Sequence, residues 1–237
     1  MIIQHALVNW DLENLNPIFK KSKTLVLGSF NPNKPDPNQI TDFYYGRTTN
    51  HFWKSIARNM NLPENHFTNN LQDKIVCMNK YRFFCCDIIN SIELECANEE
   101  VLNQYVNERI YTKYEDKELF RVRRPFNFNN QLFYKTLEFN HQIIELLEQN
   151  NITKVIHTLG NRRIENNLIA RPLNINLGFN PFVTQIINTC NNNEIEFVST
   201  SYSPSQTAVN RGGQDYRDNL DNWINQHILC LKKSLRN

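Results

Sequence analysis

The sequence predicts an α/β fold: a three-layer α/β/α sandwich on a central, mainly parallel sheet of four strands. Two observations carry that expectation. Four apolar runs, Thr24 to Phe30, Arg82 to Asp87, Lys154 to Gly160 and Glu194 to Ser201, end in polar or Gly-containing loops, as strands buried within a sheet do. Between them, Phe52 to Met60, Val101 to Tyr111, Thr136 to Gln149 and Gln214 to Leu235 carry apolar residues three and four apart, the period of an amphipathic helix. Strand and helix in alternation imply parallel strands covered on both faces, with ligands held beyond the strands' carboxyl ends. The loops after the four strands are therefore where chemistry is sought.

Size and composition narrow the classes. At 237 residues the chain can bury one substantial core, whereas two full domains would be crowded. Hydrophobic residues make up 40% and aromatics 11%, which argues against disorder. Asparagine is about one residue in six, a bias without functional weight. A net charge of +2 neither demands nor excludes nucleic acid, because phosphate binding depends on where Lys and Arg cluster. No charged leader with a following apolar core opens the chain, and no run approaches the roughly 20 apolar residues of a membrane span; a soluble, cytoplasmic protein is expected. Cys77, Cys85, Cys86, Cys96, Cys190 and Cys230 show no paired CxxC spacing, so buried thiols are expected and no metal. The segment 98–130 mixes charge and aromatics without the composition of a linker and reads as an insertion on one domain spanning 1–237.

Three loops carry the candidate chemistry. The first strand runs into Gly28-Ser29-Phe30-Asn31-Pro32, where a glycine lets backbone approach a ligand and a proline stiffens the loop beyond it. Next, Phe43-Tyr44-Tyr45-Gly46-Arg47-Thr48-Thr49-Asn50-His51-Phe52-Trp53 packs aromatics, a glycine and an asparagine ahead of a helix. The last strand leads into Ser199-Thr200-Ser201-Tyr202-Ser203-Pro204-Ser205-Gln206.

Together these segments resemble the uracil-DNA glycosylase superfamily. The likeness is strongest to its hypoxanthine-DNA glycosylase and mismatch-specific uracil glycosylase branch, whose pattern is Gly-Ser, a short loop, then Tyr-Tyr-Gly/Ala-x-x-x-Asn-x-Phe-Trp. Phe83 through Ser91 is similar to the family's strand ending in Asp, Thr158-Leu159-Gly160 to its third strand, and the Ser/Pro segment to its second signature loop. The four matches fall in the expected order between Thr24 and Gln206, and 98–130 matches nothing.

The resemblance implies base excision from DNA with a flipped nucleotide and no cofactor. Asn50 falls on the pattern's asparagine and is the first candidate to hold a water against the sugar C1′; capping the helix that begins near Phe52 is the alternative, and the two roles could coexist. Two positions after Gly28, where much of the superfamily has Asp or Asn, stands Phe30, with Asn31 one residue late; Asn31 is the alternative water ligand. Gly28, Ser29, Phe30, Tyr44, Tyr45, Gly46 and Asp87 are the expected base pocket, with Asp87 accepting a hydrogen bond from the lactam N–H of uracil or hypoxanthine. Phe52 and Trp53 are expected to anchor the helix. Ser203 stands where some branches have histidine, which makes it a secondary catalytic candidate, and Ser203 and Ser205 could bond DNA phosphates. Gln206 could fill the space of the flipped nucleotide, and Lys34 and Arg211 could touch phosphate. The expected partner is DNA with a damaged or mismatched base, without membrane or obligate protein partner. Two rival readings stay open, a catalytically silent relative that binds damaged DNA and a nucleotide-binding enzyme on a related scaffold.

Overall fold

The computed structural model describes residues 1–5, 7, 18, 20–31, 41–108, 125–149, 151–160 and 179–231. They form a mixed α/β structure with two four-stranded sheets. The first sheet holds β2 (Thr24–Gly28), β3 (Phe83–Asp87), β7 (Lys154–His157) and β8 (Glu196–Phe197), in the order β3-β2-β7-β8 with every pairing parallel. These are the four strands expected from sequence. Leu25, Val26 and Leu27 of β2 are buried although successive side chains point to opposite faces; both faces of the strand are covered, which is why its run is continuously apolar rather than alternating.

The second sheet is a departure from expectation. It is antiparallel, in the order β1-β4-β6-β5, from β1 (Ile2–Gln4), β4 (Ile89–Cys96), β5 (Phe126–Phe128) and β6 (Gln131–Phe139). The segment Thr136 to Gln149, read as one helix, is the end of β6 followed by α4 (Gln142–Gln149). Phe133, Lys135 and Leu137 point inward while Leu132, Tyr134, Thr136 and Glu138 face out, the two-residue period of a half-covered strand. Only Ile88 separates β3 from β4, so the chain passes directly from one sheet to the other, and one cluster of buried residues includes Leu25 and Phe84 of the first sheet and Ile92 and Phe133 of the second.

The remaining helices are α1 (Phe52–Asn59), α2 (Leu71–Tyr81), α3 (Glu99–Asn107), α5 (Phe179–Asn192) and α6 (Gln206–Ile224). α3 and β5 fall within 98–130, and the basic run Arg121 to Arg124 lies outside the described residues. α6 begins eight residues before the expected Gln214 because Gly213, at φ 65°, joins two helical pieces across a kink. α1 packs on α6 and α4 on α5. The first pair is clamped by Arg58, whose Nε and Nη2 donate to Asp221 at 2.7 and 2.6 Å. No described helix is long and apolar enough to cross a membrane. Cys77, Cys85, Cys86 and Cys190 are buried, Cys96 is half-buried and Cys230 exposed.

His157 closes β7 with its ring 1% exposed. Its Nε2 donates to Ser199 O at 3.0 Å while Nδ1 accepts the Leu159 N–H at 3.4 Å, so the neutral tautomer fits and a second ring proton would face another donor. Burial lowers its pKa from 6.5 to about 4. A lowered folded-state value means that the stabilisation is complete above pH 6.5 and lost as pH falls toward 4. Urea denaturation across that window is expected to show a loss on the order of 3 kcal/mol from this group. His51 and His227, also lowered by burial, add to it, and His157→Gln flattens the slope.

Candidate functional site

Strand register decides which residues meet. Gly28 pairs with Asp87, and Leu27 with both Cys86 and His157, so the carboxyl ends of β2, β3 and β7 lie side by side. Beyond them opens a cavity of about 180 Å³ lined by Ser29, Phe30, Asn31, Tyr45, Arg47, Asn50, Asp87, Thr158, Ser203, Pro204 and Ser205. A cavity of about 150 Å³ admits one benzene-sized ring, so this one suits a single planar heterocycle.

The wall from Thr41 to Trp53 is built around a tight turn. The Gly46 N–H bonds Phe43 O at 3.0 Å, and the Thr41 hydroxyl donates to the same carbonyl. A Cβ at Gly46 would overlap Asp42 and Thr41, so glycine is required by the turn. Asp42 receives Lys74 Nζ at 2.5 and 2.6 Å, and Lys74 Nζ also lies 5.9 Å from the Trp53 ring centroid. Trp53 Nε1 donates to Tyr44 O at 2.7 Å. These ties hold Tyr45 at φ 58°, a left-handed conformation unusual for a bulky residue. Its ring stacks on Phe52 with centroids 4.5 Å apart, and its hydroxyl lies 3.0 Å from Thr158 Oγ1. Because Thr158 donates its own proton to Leu27 O at 3.3 Å, Tyr45 is the donor to Thr158. Burial first, then the Asp87 charge, raises the Tyr45 pKa well above 10, which keeps the phenol protonated.

Asp87, 6% exposed, ends β3 against the bare backbone of Gly28: a Cβ at Gly28 would overlap the Asp87 carboxylate and lie 2.7 Å from the Tyr45 hydroxyl. Gly28 thus makes room for two cavity side chains rather than touching the cavity itself. Asp87 Oδ2 is 2.7 Å from Nε2 of His5, a buried residue on the edge of the second sheet whose N–H bonds Asn90 O at 2.9 Å.

Asn50 makes the capping bond expected as one of its two roles, and it stands at the cavity wall. Its Oδ1 accepts the Phe52 N–H at 2.9 Å at the start of α1, while the residue lines the cavity. The neighbouring His51 N–H bonds Pro204 O at 2.8 Å and ties this wall to the Ser/Pro loop. That loop is held from behind by Tyr216, whose hydroxyl accepts the Ser203 N–H at 2.8 Å and donates to Ser203 O at 3.1 Å. Ser205 caps α6 by accepting the Ala208 N–H at 3.3 Å. The cavity is thereby flanked by the N-termini of α1 and α6, whose amide dipoles favour negative charge.

Of the residues expected at a site, Ser29, Phe30, Asn31, Tyr45, Asn50, Asp87, Ser203 and Ser205 line this cavity together. Gly28, Tyr44 and Gly46 stand behind it as packing, with Tyr44 against His5 at 5.6 Å between centroids. Gln206 and Arg211 are exposed on α6 and do not line it, and Lys34 lies outside the described residues. Sequence reasoning passed over Arg47, Thr158, Pro204 and His5. The first three sit inside quoted motifs, whereas His5 carries no local signal. Among the described residues no group of three or more His, Cys, Asp or Glu is placed to hold a metal. Compared with family models, curated proteins and solved structures, the chain has no significant match.

Two substitutions test this construction. Gly28→Ala is expected to destabilise the fold by about 1–3 kcal/mol through overpacking, read by urea denaturation, because Asp87 is bonded to His5 and cannot swing clear cheaply. Tyr216→Phe keeps the ring and removes both Ser203 bonds; a loss of about 1–2 kcal/mol and faster amide exchange at Ser203 are expected, and unchanged exchange would show that the loop is held by other contacts.

Proposed function

We propose that the protein is a monofunctional DNA glycosylase of the uracil-DNA glycosylase superfamily, a three-layer α/β/α sandwich that hydrolyses the N-glycosidic bond of uracil or hypoxanthine in DNA. One observation carries the reading. Segments that resemble the family at four separate places, from Ser29 to Ser205, contribute to one ring-sized cavity, beyond the carboxyl ends of the parallel strands. The two helix pairs, α1 with α6 and α4 with α5, support the layered architecture.

The chemistry follows from the charges. A water adds to C1′ as the C1′–N bond breaks with its electron pair leaving on the base, and the water's proton passes through solvent to the released base; in between, positive charge builds on the sugar and negative charge on the departing base. Arg47 and the N-termini of α1 and α6 favour the base anion. Asn50 holds the water: its amide is fixed through Oδ1 by Phe52, and an amide oxygen has a second lone pair for the water while Nδ2 remains a donor. Phe30 and Tyr45 offer aromatic surface to the base. No cofactor enters the scheme.

Purified protein incubated with oligonucleotides carrying uracil, hypoxanthine or a G·T mismatch, then treated with alkali, is expected to yield cleavage at uracil or hypoxanthine. Cleavage of none of them overturns the reading. Asn50→Ala is expected to lower single-turnover base release about 10²- to 10³-fold and stability by only about 1 kcal/mol through the lost cap. Undiminished release would transfer the water to Asn31.

A further inference from the structure

We infer that His5 is a specificity-determining positioning residue: by fixing Asp87 as a hydrogen-bond acceptor, it restricts the cavity to bases that present a ring N–H. The inference rests on the proposed base pocket and names what that pocket selects.

The Leu7 backbone N–H donates to His5 Nδ1 at 3.1 Å, so that nitrogen carries the lone pair and the proton of the neutral ring sits on Nε2. Nε2 lies 2.7 Å from Asp87 Oδ2 and donates to it. The ring cannot turn over, because rotation would set a proton against the Leu7 N–H. It is also packed in place, with Phe30 edge-on at 5.8 Å and Tyr44 at 5.6 Å between centroids, and its backbone is tied to Asn90 O by the bond that extends the β1–β4 pairing. His5 is 5% exposed and Asp87 6%, so water does not compete for this bond.

Asp87 lines the cavity, and with Oδ2 committed to His5 the oxygen left to a ligand is Oδ1, which lies over the bare backbone of Gly28. An acceptor at that point pairs with a ring N–H. Uracil and hypoxanthine carry one between carbonyl-bearing or imine positions, whereas cytosine and adenine present a ring lone pair at the equivalent atom and are opposed by the carboxylate. The distinction is the one that separates a deaminated base from its parent. A buried polar group left facing a lone pair rejects the wrong ligand more strongly than a matched pair attracts the right one. The selecting acceptor is set by a residue 82 positions away in sequence, on a different sheet.

The test uses 1-methyluracil, 1-methylcytosine, 9-methylhypoxanthine and 9-methyladenine, whose glycosidic nitrogen is blocked, in NMR titrations of the full chain, so that recognition is read separately from bond cleavage, beside single-turnover assays on uracil- and hypoxanthine-containing DNA. The unaltered protein is expected to bind uracil over cytosine and hypoxanthine over adenine by about 10-fold or more. His5→Leu is expected to bring each ratio to within about 3-fold, while His5→Gln, whose amide can still donate to Asp87, preserves most of the selectivity. Asp87→Asn provides a second measure that does not depend on the His5 variants folding. The fixed donor on His5 forces the new amide to turn its oxygen toward Nε2 and its NH2 toward the cavity, so the preference is expected to invert toward cytosine and adenine. Full selectivity in a folded His5→Leu protein, or Asp87→Asn that keeps the original preference, overturns the inference. Selective binding without DNA cleavage leaves it standing while the glycosylase reading falls; cleavage with selectivity indifferent to His5 does the reverse; and no preference among the four bases in the unaltered protein overturns the inference outright.

Discussion

Where β2 and β3 end, the Asp87 carboxylate occupies the space that a Cβ on residue 28 would fill, and the rest of the site is arranged around that approach. Parallel register alone sets Gly28 beside Asp87. The absence of a side chain then lets the carboxylate fold back over the neighbouring strand and brings the Tyr45 hydroxyl to the same place. A buried carboxylate needs donors, and His5, on β1's extension in the other sheet, supplies one. The second sheet is therefore part of the site's construction.

The turn that presents Tyr45 shows how local strain is maintained. A bulky residue in the left-handed region costs on the order of 1–3 kcal/mol and persists only where its surroundings over-determine it. Here the surroundings are specific: the Gly46 turn, the Asp42–Lys74 pair, the Trp53 bond to Tyr44 O and the Phe52 stack. Lys74 is fully buried, and burial outweighs its Asp42 partner in pulling its pKa below 10.5. Burying such a cation is a poor route to stability; its effect is to fix where the aromatic wall stands.

Legibility in the sequence followed the length scale of each signal. The four parallel strands were readable because burial on both faces makes Thr24–Gly28 and Phe83–Asp87 continuously apolar, and the loops after them were readable because Gly-Ser and Ser-Pro punctuate strand ends. The antiparallel sheet was not. Phe139, Ile143 and Leu147 continue a four-residue spacing across the end of β6, which hides the strand's own alternation inside an apparent helix. The start of α6 was missed because Gly212-Gly213 reads as a break, and it is one: the helix resumes at the residue expected from sequence. His5 was invisible for a different reason. A single histidine near a short edge strand means nothing until the fold brings it to its partner.

Under the proposed function, Asn50 is better suited than Asn31 to position the water. Both line the cavity, but precise placement requires that the holding group be immobile before the reaction. Asn50 is fixed twice, by its N–H on Arg47 O at 2.8 Å and by its Oδ1 on the Phe52 N–H, and it begins a helix locked to the Ser/Pro loop through His51 and Pro204. The Asn31 side chain makes no hydrogen bond among the described residues. Under the proposed function the cap does not compete with water binding by Asn50: the bond at the start of the helix also sets the angle of the amide, and the second lone pair of Oδ1 and the Nδ2 group remain for the water.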